Sequence, residues 1–201
     1  MFPLPEMVLF PGVTASLHIF EPRYRLMLQD ALSIGSGIIV LAHVHPDGRG
    51  NEMQPEIYPV ATLGKVIDHR ALPDGRSNID LQGLHRVEMH ELSFRPPYRK
   101  ADLVVLHDQG RPITDAEETA LRSGVLAFSR ELQKRSTRFT FSLSPTLSGS
   151  RLIDDCASHL VRSPRDRQVL LEELDVSKRL LRTLDVLAAQ VASLQVEGVL
   201  N

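Results

Sequence analysis

Phe2-Pro3-Leu4-Pro5-Glu6-Met7-Val8-Leu9-Phe10-Pro11-Gly12, with Leu17-His18-Ile19-Phe20-Glu21-Pro22-Arg23-Tyr24-Arg25 a few residues later, is the stretch whose reading decides the fold. Residues 7–10 are a short apolar run closed by Pro11-Gly12. Proline fixes φ and glycine accepts positive φ, so the pair ends a strand in a turn, and a first strand is expected at 7–10. Phe20-Glu21-Pro22 then opens a helix with Pro22 at its first position, where a missing N–H costs nothing. Tyr24, Met27, Leu28, Ala31 and Leu32 give that helix an apolar face, and Gly35 stops it. Such a helix needs a sheet to lie on.

Working outward, residues 38–44 are continuously apolar and β-branched, as in a strand covered on both faces, and residues 46–51 form a polar loop. Residues 60–67 and 78–81 flank Leu72-Pro73-Asp74-Gly75-Arg76, whose Pro-Asp-Gly centre suits a tight turn between antiparallel strands. After Gly83, apolar Val87 and Met89 alternate with Arg86, Glu88 and His90 and mark a separate strand; residues 101–106 mark another beyond the Pro96-Pro97 break. Six short strands and one helix thus fill the first half.

From Thr114 the period becomes helical. Thr114-Asp115-Ala116-Glu117 has capping-box form, and Leu121, Val125, Phe128 and Leu132 make one stripe. Residues 135–150 read as a connection, with Phe139-Thr140-Phe141 suited to a brief edge pairing. Three helices follow: residues 152–161, residues 164–174 capped by Ser163, and residues 176–196 capped by Asp175. Strands first and helices second make an α+β chain, β-rich over residues 1–110 and α-helical over residues 111–201.

The composition excludes several classes. With 42% hydrophobic and 24% charged residues in 201, the chain matches ordinary soluble domains and can bury its own core. A net charge of −2 lacks the positive field of a dedicated nucleic-acid binder. Cys156, the single cysteine, has no partner for a disulfide or a Cys-rich zinc site, which fits a reducing, cytoplasmic setting. Residues 1–20 have no basic start leading into an apolar run, and no stretch reaches the about 18 apolar residues of a spanning helix, so no membrane partner is expected.

Four blocks carry a family resemblance. They are the opening segment, Tyr58-Pro59-Val60-Ala61-Thr62-Leu63-Gly64-Lys65-Val66, residues 72–76 through Leu81-Gln82-Gly83-Leu84-His85-Arg86-Val87, and Arg167-Gln168-Val169-Leu170-Leu171-Glu172-Glu173-Leu174-Asp175-Val176 with Arg179-Leu180. Together they make the chain resemble, over nearly its whole length, the amino-terminal, substrate-binding domain of the Lon proteases. One departure is Ala15-Ser16-Leu17, where the family often has a proline. The resemblance implies a β-rich, PUA-like pseudobarrel subdomain followed by a small α-helical bundle. It also implies a binding module for exposed apolar segments of unfolded or extended polypeptides.

Full-length Lon proteases continue into an ATPase module and a serine-lysine protease module. Here the one Gly-Lys pair, Gly64-Lys65, is followed by Val66 on an expected strand and is no phosphate-cradling loop. The expectation is a stand-alone domain that starts almost directly on its first strand, without a longer leader, and ends at Asn201 without room for a further module. It would be no enzyme, need no cofactor, and work with a protease supplied in trans.

Phe20, Glu21, Arg23, Tyr24 and Arg86 are the substrate-binding candidates on this reading. The plainer reading gives Glu21 to its helix N-terminus and Arg23 or Arg25 to a structural ion pair. Other clusters also admit two readings. His43 and His45, with Asp47 near, form either a metal site or two solvent-facing histidines at a strand end. His90-Glu91-Leu92-Ser93-Phe94 misses the second histidine of a zinc-protease helix. Cys156, His159 and Asp155 stand at the spacing of an activated thiol, against which a buried structural cysteine is the simpler account. Arg130, Lys134, Arg135 and Arg138 beside Phe139 and Phe141 suggest an RNA-binding regulator as the alternative function, countered by the absence of tryptophan. Leu180, Leu184, Leu187, Val191 and Leu194 form a heptad-like seam that either packs inside the helical part or makes a homodimer.

Overall fold

Strands precede helices along almost the entire chain. The order is β1 (Phe2–Leu4), β2 (Thr14–Ile19), α1 (Pro22–Ser33), β3 (Ile38–His43), β4 (Val60–Ala71), β5 (Ser77–Glu91), β6 (Ala101–Leu106), α2 (Asp115–Arg135), α3 (Gly149–Leu160), α4 (Pro164–Glu172) and α5 (Val176–Val199). The computed structural model describes residues 1–135 and 143–199. The chain divides into two compact units, Met1–His107 and Asp108–Asn201. No helix among the described residues is long and apolar enough to cross a membrane.

The first unit is built on one mixed sheet of order β1-β3-β4-β5-β2, with β6 also paired to β5. Only the β1–β3 pair is parallel; the rest are antiparallel. The long β5 serves two neighbours along one side, β2 over residues 77–82 and β6 over residues 86–91. α1 starts at Pro22 and buries Tyr24, Met27, Leu28 and Ala31. Gly35 follows it at φ 73°, with its amide bonded to the Leu32 carbonyl at 3.0 Å.

Two strand expectations are corrected. Residues 7–10 are not a strand; the strands are β1 before them and β2 after them. Val8, Leu9 and Phe10 are nevertheless buried. Their backbone is held by contacts other than a ladder: the Thr62 hydroxyl donates to the Leu9 carbonyl at 2.6 Å, and the Gly12 amide to the Gly83 carbonyl at 2.8 Å. The apolar run reports burial, which a segment flanked by Pro5 and Pro11 attains without pairing. The second correction concerns Gly83, which does not separate two strands, because β5 runs through it for 15 residues.

At that point β5 carries a bulge. Gly83 pairs with Gly64 and His85 with Leu63, so Leu84 is an extra residue in the ladder. One inserted residue moves every later side chain to the opposite face. Ile79 and Leu81 therefore join a core formed with Tyr24, Met27 and Leu28 of α1 and Ile39 and Leu41 of β3. Val87 and Met89, at the same parity in the sequence, join a second core with Val40, Ala42 and Ala61.

The second unit packs α2, α3 and α5 around Leu121, Val125, Phe128, Leu152, Ile153, Cys156, Leu160, Leu180, Leu187 and Leu194. Leu184 and Val191 pack, partly buried, against the same cluster, so the heptad-like seam is engaged within its own unit. The capping box forms: the Glu117 amide bonds to the Thr114 hydroxyl at 3.3 Å, and the Glu117 carboxylate accepts from the Thr114 amide at 2.8 Å. Ser163 accepts from the Asp166 amide at 3.2 Å, and Asp175 from the Lys178 amide at 3.0 Å. Arg179, fully buried, ties this unit together with Nη2 2.7 Å from Asp108, Nη1 donating to the Glu173 carbonyl at 2.7 Å, and Nε 3.3 Å from Asp154.

Candidate functional site

Where β2 hands over to α1 the chain leaves an aromatic ring in solvent. Phe20 is 58% exposed, and its ring lies 6.0 Å from that of His18, nearly parallel to it. Glu21 is the N-cap residue, but its side chain makes no cap bond; its carbonyl accepts from the Tyr24 and Arg25 amides, each at 3.0 Å. The Glu21 carboxylate instead takes Arg23, with Nη2 at 2.7 Å and Nε at 2.8 Å. Arg23 also donates to the Glu52 carbonyl at 2.8 Å and reaches the Met53 sulfur at 3.5 Å. The same guanidinium sits 4.5 Å above the Tyr24 ring.

Tyr24 itself is buried, 4.6 Å from the Phe2 ring, and burial raises its phenol pKa against the opposing pull of Arg23. Arg86 is buried on β5 and lies 5.9 Å over the Phe10 ring. The structure thus brings Glu21, Arg23 and Tyr24 into one contact group, sets Arg86 against the opening segment, and leaves Phe20 as the exposed member of the five.

Just beyond Phe20 runs a groove of about 460 Å³ between α1 and the β4–β5 turn. Pro22, Leu26, Gln29 and Leu32 line it from the helix, and His69 and Ser77 from the strands. Arg25 presses against Gly75, where φ is 80° and a Cβ would collide with the guanidinium. Leu26 is 46% exposed. The sequence reading passed over this groove. Its signal was Leu26, an apolar residue on the otherwise polar face of an amphipathic helix.

The remaining clusters settle into structural surroundings. His43 is 2% exposed, contrary to a solvent-facing histidine, because the last residue of β3 turns inward. Its Nε2 bonds the Pro5 carbonyl at 3.0 Å, and its ring stacks 5.1 Å from Tyr58, which also stacks 4.7 Å from His45. Among the described residues no group of three or more His, Cys, Asp or Glu side chains is placed to hold a metal ion. Glu91 accepts both Nε and Nη2 of Arg99, at 2.6 and 2.5 Å. Cys156 is buried, and burial first, then the Asp155 charge, pushes its thiol up to about 12. His159 bonds the Asp155 backbone carbonyl at 2.9 Å. Lys134 pairs with Glu131 at 2.5 Å. Arg138, Phe139, Thr140 and Phe141 lie outside the described residues, as does the side chain of Arg135.

Comparison with known proteins gives this arrangement its context. Residues 1–189 match the model of the ATP-dependent protease La (LON) substrate-binding domain. The chain is 25% identical over 98% of its length to a Lon protease of Flavobacterium johnsoniae and 27% identical over 100% to one of Syntrophomonas wolfei. It spans about a quarter of the length of those relatives (25% of each). A Lon N-terminal domain protein from Xanthomonas campestris has a similar fold, with TM-score 0.65, 20% identity, and coverage of 92% of this chain and 95% of that one. The N-terminal domain of a Mycobacterium avium complex Lon protease gives TM-score 0.66 at 16% identity, covering 93% and 96%. The α+β architecture is therefore that of Lon N-terminal domains, and the chain belongs to the LON substrate-binding domain family.

Proposed function

We propose that the protein captures polypeptides that expose apolar segments, and that it catalyses no reaction on them. The observation that carries this reading is the family match over residues 1–189, on a unit that presents Phe20 and Leu26 to solvent beside the α1 groove. The groove sets Leu26, Leu28 and Leu32 beside Arg25, Gln29, His69 and Ser77, and its apolar strip favours side chains by burial, so binding is weak and tolerant of sequence. The charged pair Glu21–Arg23 supports the site by fixing the start of α1 rather than by reaching for a ligand.

On this reading the protein works in the cytoplasm, and what it binds passes to a protease acting in trans. The test is an amide NMR titration with reduced, unfolded proteins and with short apolar peptides. Shifts clustered on residues 20–32 are expected; unmoved spectra at millimolar peptide would overturn the reading.

A further inference from the structure

β6 closes the sheet on its side, and its register shows which backbone groups it leaves over. The Met89 amide donates to the Pro59 carbonyl at 2.9 Å, on the β4 side of β5. Residues alternate along an antiparallel strand, so Met89 and Val87 turn their backbone groups toward β4, and their partners Leu103 and Val105 form non-hydrogen-bonded pairs with them. At the opposite parity, the Leu92 amide donates to the Lys100 carbonyl at 3.0 Å. The N–H and C=O groups of Ala101, Leu103 and Val105 therefore face away from β5. Among the described residues β5 is the only strand paired with β6.

Exposed edges of this kind are ordinarily blunted by lysine, proline or a bulge. Within Ala101–Leu106 the one charge is Asp102, with Lys100 just before the strand, and Leu103, Val104 and Val105 are 36%, 49% and 40% exposed. The two faces of the edge differ. Leu103 and Val105, opposite Met89 and Val87, continue the apolar side that carries the second core. Asp102 and Val104 stand on the other side, opposite His90 and Glu88. Glu88 and Asp102 put two carboxylates there, with Lys100 two residues before Asp102 on the same side, and among the described residues neither carboxylate is in a salt bridge.

We propose that the outer edge of β6 takes up an extended polypeptide segment as an additional strand. The segment's apolar residues lie on the Leu103/Val105 side, and its alternate residues are basic. This rests on the polypeptide-binding reading above and adds to the α1 groove a second place, where a segment is held by its backbone. Backbone pairing supplies affinity with little demand on sequence, and alternate side chains supply selection. Charge disfavours a second copy centred on the exposed Leu103–Val105 stretch. Two β6 strands paired about Leu103 would set Asp102 of each copy opposite Val104 of the other and leave the carboxylates uncompensated, whereas lysine or arginine at those positions neutralises them.

The experiment titrates the whole chain with a short synthetic peptide alternating valine and lysine, and with a twin alternating valine and glutamate. Binding and site are read by amide NMR and hydrogen exchange. The valine–lysine peptide is expected to slow exchange at Leu103 and Val105 while leaving Val104 unchanged, and the glutamate twin to bind at least about tenfold more weakly. N-methylation of peptide residues that face β6 is expected to weaken binding about tenfold, and methylation at the alternate residues to leave it intact. Slow exchange at Leu103 and Val105 in the free monomer would overturn the proposal, as would protection that rises with protein concentration alone. If unfolded proteins bind while β6 stays silent, strand addition fails and the broader reading stands. If nothing binds, the broader reading fails.

Discussion

Gly12 and Gly83 meet backbone to backbone: the Gly12 amide donates to the Gly83 carbonyl at 2.8 Å, and the Gly83 amide bonds the next residue, Val13, at 2.9 Å. Phe10-Pro11-Gly12 and Gln82-Gly83-Leu84, far apart in sequence, are two halves of one contact. A Cβ on Gly83 would run into the Phe10 carbonyl, and backbone cannot swing aside as a side-chain tip does. Gly83→Ala is expected to cost about 2–3 kcal/mol, as overpacking of a tight site does. Urea denaturation checks it, and a midpoint equal to that of the parent would show that the contact is slack.

Glu117 gives the second unit an acid-side dependence. Its bonds to Arg111 first, then to the Thr114 amide and hydroxyl, hold its carboxyl down to about 2. A carboxyl depressed in the folded state stabilises above its unfolded pKa of about 4.3 and loses that contribution as pH falls through the folded value. The contribution should therefore fade between about pH 4 and pH 2. Carbon-detected NMR of the Glu117 carboxyl should titrate near 2. A midpoint near 4 would mean the capping box is open in solution.

Cys156 is expected to be inert. A thiol raised to about 12 by burial carries almost no thiolate at neutral pH and offers no access. Iodoacetamide at pH 8 should leave the native protein unmodified and label it after unfolding in urea. Native labelling at the unfolded rate would reopen the reading of Cys156, His159 and Asp155 as a reactive group.

Phe20 and Leu26 test the groove without disturbing the fold. Both are exposed, so Phe20→Ser and Leu26→Ser should each change stability by no more than about 0.5 kcal/mol. Binding of an apolar peptide should weaken several-fold for each, since each removes apolar area from the contact. Unchanged affinity in the double variant would place the binding surface elsewhere.

What the sequence revealed was mostly local chemistry. Pro22 at a helix start, Gly35 after its end, the Thr114–Glu117 box and the Ser163 and Asp175 caps are decided by neighbouring residues, and each forms in the structure. Residues 7–10 misled because an apolar run registers burial, while strand pairing depends on what lies alongside. Gly83 looked like a strand breaker and is instead a glycine required by the approach of Phe10. Of the site, Phe20 was legible as a candidate, but its exposure was not, since a residue just ahead of a helix can turn either way. The burial of Tyr24, Arg86 and His43 depended on Phe2, Phe10 and Tyr58, partners distant in sequence.

The extra residue at Leu84 has a consequence for how the first unit comes apart. Because the bulge sends the two ends of β5 to opposite interiors, a single ladder is the spine of both. Fraying it from either end strips one interior and loosens the strand that the other hangs on. A regular ladder that took Leu84 in as a paired residue would present Val87 and Met89 to the wrong side and turn Glu88 inward. The first unit therefore tolerates changes of side chain along β5 far better than a slip of register against β4, and its two interiors melt as one.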